Sequence, residues 1–74
     1  MVQKFAALDR ALEAESWNWL EANQPELAEA LQAEVGHGAQ PAQVKRHVIG
    51  RTGRWELAIR CELAAAFLTA NIEG

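Results

Sequence analysis

The sequence predicts an all-α domain: a compact four-helix bundle-like arrangement of two long and two short helices, sequential neighbours antiparallel and the last helix either central or at an oligomer interface. Three observations predict it. Half of the 74 residues are apolar, against 7 basic and 10 acidic ones, which suits a chain that collapses around a core. No segment alternates with period two. Pro25, Pro41 and the glycine pairs Gly36/Gly38 and Gly50/Gly53 cut the chain into four stretches of helical composition within a single domain, residues 1–74.

The first stretch, about residues 2–22, has neither proline nor glycine and is rich in Ala, Leu and Glu, residues of high helix propensity. At helical spacing Phe5, Leu8, Leu12, Ser16 and Trp19 share one stripe, flanked by Val2 and Leu20, and this stripe is the expected core face. Trp17 lies off it, between Glu13 and Arg10, and is therefore expected at the surface, where tryptophan serves as a binding anchor. Trp19 and Trp55 fall on apolar faces, where packing is the default.

Pro25 disfavours helical geometry at Gln24, so the first helix stops near Asn23, and Asn23 with Glu26 reads as the capping box of a second helix over about 24–35. Leu27, Leu31 and Val35, with Ala28 beside them, form its inner face. Gly36, His37 and Gly38 end it, because glycine tolerates left-handed backbone. Pro41 suits the first turn of a third helix, about 41–49, with Val44 and Val48 inward. Gly50 and Gly53 bracket a tight connection to the last helix, about 54–72, where Glu56 and Arg60 are spaced as an i, i+4 ion pair.

That last helix carries two apolar faces. Leu57, Cys61, Ala64, Ala65, Leu68 and Ile72 share one; Trp55, Ile59, Leu63, Ala66, Phe67 and Ala70 share the other. A helix apolar on both sides either sits centrally among its neighbours or offers a face to a second chain. Size favours a partner. A domain this small buries a core worth only a few kcal/mol, roughly 3–5, and the single Cys61 leaves no intrachain disulfide to reinforce it. The expected partner is a second copy or another protein, contacted through Trp17, Ile59, Leu63, Phe67 and Leu68.

Charge is unevenly placed within the net −3. Residues 1–36 hold seven acids and two bases, whereas residues 37–60 hold five bases and one acid. Lys45, Arg46, Arg51 and Arg54 gather near the third connection, with His47 among them, and a local basic patch binds phosphates even on an acidic protein. Gly50, Arg51, Thr52, Gly53 and Arg54 read as a phosphate cradle: glycines admit close backbone approach, and the following helix start offers unpaired amides. This stretch resembles the G-x-x-G loop of K-homology RNA-binding domains and, in its placement, helix–hairpin–helix DNA motifs. The resemblance covers the loop alone: the first family also needs a three-stranded sheet, and the second spaces its glycines two apart rather than three. It implies nucleic-acid binding through residues 45–60 as the alternative function.

Other classes find little support. One serine, two histidines, one cysteine and no tyrosine offer no convergent catalytic set, so no enzymatic activity is expected. His37, His47 and Cys61 have no metal-binding spacing, and a Walker loop is missing, so neither a metal nor a cofactor is expected. The first 20 residues hold no uninterrupted apolar stretch of leader type, and the longest uncharged run, Leu63 to Ile72, is about half a bilayer span. A cytoplasmic protein with no membrane partner is the expectation, and the lone thiol suits that compartment.

Overall fold

The computed structural model describes the backbone of residues 2–73 and the side chains of residues 10–72. It contains four helices in the expected order: α1 (Val2–Asn23), α2 (Pro25–Gly36), α3 (Pro41–Thr52) and α4 (Trp55–Glu73). Pro25 and Pro41 each occupy the first helical turn of their element, as their missing amide hydrogens allow. The expected caps differ in detail. Gln24, not Asn23, is the N-cap of α2, while Asn23 turns back to donate from Nδ2 to the Trp19 carbonyl at 2.9 Å. The reciprocal cap appears instead on α3, where the Gln40 amide donates to Oε1 of Gln43 at 2.9 Å.

α4 is the hub of the fold. It packs along α1 and α3, and α2 lies across both α1 and α4, whereas α2 and α3 barely touch. Two contacts orient the layer. The Arg60 guanidinium stacks over the Trp19 ring, 4.4 Å from its centroid, and Lys45 pairs with Glu62 at 3.8 Å. Arg60 and Glu62 are two residues apart, about 200° around the helix, so α1 and α3 flank opposite sides of α4. Trp19 is late in α1 and Arg60 early in α4, so their extensive packing requires the two helices to run antiparallel. The long dimension of the molecule, 37 Å, matches the roughly 33 Å of a 22-residue helix.

The core comprises Trp17 and Leu20 of α1, Ala28, Leu31 and Val35 of α2, Val44 and Val48 of α3, and Leu57, Ala58, Cys61, Ala64, Ala65 and Leu68 of α4. Ala58, Cys61, Ala64 and Ala65 have no exposed surface, and their small side chains let the neighbouring helices approach α4 closely. One of the two apolar faces of α4 is thereby buried, except at its last turn, where Ile72 is exposed.

α1 is rotated from the expected orientation. Its buried face is Ser16, Trp17 and Leu20, whereas Leu12 is 49% exposed and Trp19 only partly covered. The shift is about one residue's step, ~100°. Its cause is α2: the chain reverses at Pro25 and brings Pro25 and Ala28 beside Trp17, so the indole is 8% exposed rather than at the surface. The side chains of Val2, Phe5 and Leu8 lie outside the described residues.

The third connection also differs. α3 continues through Gly50 to Thr52, so the link to α4 is only Gly53 and Arg54. Gly53 caps α3 with φ +69°, its amide donating to the Ile49 carbonyl at 2.8 Å. These two glycines make opposite predictions. Gly53→Ala strains a left-handed residue and should destabilise by about 1–2 kcal/mol. Gly50→Ala, in a helix with open space beyond the backbone, should stabilise by about 0.5–1 kcal/mol. Urea unfolding followed by circular dichroism separates the two; a loss at Gly50 as large as at Gly53 would mean that the chain bends there.

Candidate functional site

Three surfaces could hold a partner or ligand: the outer face of α4, the basic end of α3 and a cleft between α2 and α3. The first follows from the layer geometry. With α1 and α3 on its flanks and α2 across its inner face, α4 has its remaining side uncovered by the described residues. Trp55 is 62% exposed and Ile59 45%; Leu63, Ala66 and Phe67 are half-buried and Ala70 is exposed. Phe67 leans against the core edge. Two helical turns back from Trp19 on α1 is Leu12, and two turns on from Arg60 in α4 is Phe67. The antiparallel register therefore sets exposed Leu12 level with Phe67, and the apolar strip widens toward α1.

Of the residues expected at an interface, Ile59, Leu63 and Phe67 belong to this strip. Trp17 and Leu68 do not: both are in the core, Leu68 at 7% exposure on the opposite side of α4. Trp55 and Leu12 belong to the strip as well, although apolar spacing puts Leu12 on the expected core face and makes packing the default for Trp55. The spacing was correct, but it cannot say which apolar face a neighbouring helix covers.

The basic residues are gathered less tightly than the glycine spacing suggests. Lys45 is half-buried and engaged with Glu62, the sole ion pair among the described residues. Arg46 and Arg51 project from α3, Arg54 follows its cap, and all three are exposed. Gly50 is helical, so Gly50 and Gly53 do not share one loop. The donors of the link are also occupied. The Gly53 amide is bonded to Ile49, and the Arg54 amide donates to Oγ1 of Thr52 at 3.1 Å, while that hydroxyl donates to the Val48 carbonyl at 2.7 Å. Glu56 adds a carboxylate to the first turn of α4, where an anion would have to approach. Nor does Glu56 pair with Arg60, which stacks on Trp19 instead. What is left is an exposed arginine patch without a backbone nest.

Where α2 and α3 splay apart, a cleft of about 380 Å³ opens, walled by Leu27 and Leu31 on one side and Val44 and Val48 on the other. Glu34, Gln43 and His47 stand at its mouth and Cys61 at its base. Burial pushes the Cys61 thiol up from 9.0 to about 11, so at neutral pH it is protonated and a poor nucleophile. It behaves as a small apolar packing residue, as its position on an apolar helix face implies.

Among the described residues, no three His, Cys, Asp or Glu side chains converge as metal ligands. No helix among them is long and apolar enough to cross a membrane. The chain matches no protein-family model, no curated protein and no solved structure.

Proposed function

We propose that this chain is a small helical interaction module that self-associates through the outer face of α4 and carries no catalytic machinery. One observation carries the reading: α4 is central to the fold and yet presents Trp55 and Ile59, each about half or more exposed, in line with Leu63 on the side that no helix covers. An isolated exposed apolar residue is ordinary, but a contiguous strip with a tryptophan at one end marks a contact surface. Burying it against a partner also adds apolar burial to a domain whose own core is small. The single cysteine, buried as a thiol, fits a reducing cytoplasm.

The test is the mass in solution. Sedimentation velocity over low to high micromolar concentration should show the 8.2 kDa chain shifting toward twice that mass. Ile59→Glu should hold it at the monomer with its helical circular dichroism intact. A monomer at every concentration overturns the reading.

A second reading rests on Arg46, Arg51 and Arg54, which are exposed and have no acidic partner among the described residues. Such a patch binds nucleic-acid backbone through charge alone, without the cradle. Anisotropy of labelled single-stranded and duplex oligonucleotides at low and near-physiological salt decides it. Saturable binding that weakens steeply with salt, and weakens further in Arg51→Ala and Arg54→Ala, supports it; no binding at low salt removes it.

A further inference from the structure

We infer that the occupant of the α4 outer face is a second copy of this chain, laid antiparallel about a two-fold axis that passes between Glu62 and Leu63; the inference rests on the self-association proposed above. The argument is the order of side-chain sizes along the strip. Along its midline Trp55 and Ile59 fill the first half, Leu63 stands at the middle, and Ala66 and Ala70 occupy the second half, while Phe67 lies at the edge toward α1, against the core.

A two-fold contact is self-complementary: whatever residue i meets on its partner, the partner's copy of i meets in return. Antiparallel helices crossing at the middle of this strip bring Trp55 opposite Ala70 of the other copy and Ile59 opposite Ala66. Large meets small at both ends, and the two Leu63 side chains close the centre, as interdigitating ridges require. A parallel pair would set tryptophan against tryptophan at one end and leave alanine facing alanine at the other. The helices would be held apart where the large residues meet and separated by a gap where the small ones do.

Charge agrees with the same axis. Glu62 is the carboxylate of α4 nearest the axis in sequence, and Lys45 at 3.8 Å already partners it, so the two copies of Glu62 do not meet as bare like charges. Arg60 is drawn aside onto Trp19. The extent of the strip also sets the strength. With Trp55 at 62% exposure, Ile59 at 45% and the rest partly covered, about 400–500 Å² per copy would be removed from water, near half of the ~800 Å² of a standard interface. An area of that size belongs to weak, transient contacts, so the dimer is expected only when the protein is concentrated.

Single-cysteine crosslinking of the full chain under mild oxidation tests the register, since buried Cys61 faces the other side of α4 and the wild type serves as its control. Leu63→Cys should give a covalent dimer. Trp55→Cys alone should not, because its two copies would stand roughly 22 Å apart along the helices. Trp55→Cys combined with Ala70→Cys should crosslink again. A covalent dimer from Trp55→Cys alone would overturn the antiparallel order in favour of a parallel one. A dimer by sedimentation that none of these cysteines captures would overturn the α4 face as its contact, and a monomer at all concentrations would overturn the self-association itself.

Discussion

Leu20→Ala should leave the domain largely unfolded at room temperature, whereas Leu12→Ala should shift its urea midpoint little. Leu20 has no exposed surface and sits in the core near the end of α1; Leu12 is half-exposed on the same helix. Truncating a fully buried leucine costs about 2–5 kcal/mol, the transfer of three carbons plus the cavity they leave. A core of this size rarely supplies more than about 3–5 kcal/mol, so the loss is comparable to the whole stability. Leu12→Ala removes carbons already half in water and should cost about 1 kcal/mol or less. Urea titration of dilute protein, read by far-ultraviolet circular dichroism, measures both. Equal losses, or a larger loss at Leu12, would return α1 to the orientation its Phe5–Leu8–Leu12–Trp19 stripe suggests.

That pair of leucines also marks where the sequence stopped being readable. The starts of α2 and α3 are legible because their cause is local: Pro25 and Pro41 suit a first turn, where the missing amide hydrogen costs nothing. The two faces of α4 are legible too, since the five polar residues between Trp55 and Ile72 fall in two lines on the helical wheel. The orientation of α1 is not. Leu12, Trp17, Trp19 and Leu20 surround much of the helix, so the buried arc depends on where α2 lands after Pro25, a tertiary matter that no period encodes.

Gly50 departs from its expected place in the connection for a related reason. A lone glycine weakens a helix by only about 1 kcal/mol, and α3 is held to α4 on either side of it by Val44, Val48 and the cap at Gly53. Arg60 shows the same override in a side chain. Its spacing suits Glu56, but the indole of Trp19, over a hundred degrees from Trp17 on the wheel of α1, offers a flat surface at 4.4 Å that local sequence does not announce. The interface set mixed the two faces of α4 because spacing identifies faces without telling which is covered.

Leu68→Glu, by contrast with Ile59→Glu, should abolish the fold rather than the contact, and should do so in a pH-dependent way. Leu68 is 7% exposed among the core residues of α4, and Ile59 is 45% exposed on the other side of the same helix. Nothing cationic in the described core stands ready to pair a carboxylate at position 68, since the core cluster there is apolar throughout. An unpaired buried charge costs several kcal/mol, which exceeds what this domain holds in reserve. Desolvation raises the pKa of such a carboxyl in the folded state above its unfolded value. The folded form is therefore favoured at low pH, where the group is neutral, and is lost as pH rises through the folded value. Helical circular dichroism of Leu68→Glu should be weak at pH 7 and stronger near pH 4, while Ile59→Glu stays helical at both and differs from the parent only in mass. If Leu68→Glu were as helical at pH 7 as the wild type, position 68 would face water or a second chain, and the assignment of the two faces of α4 would have to be exchanged.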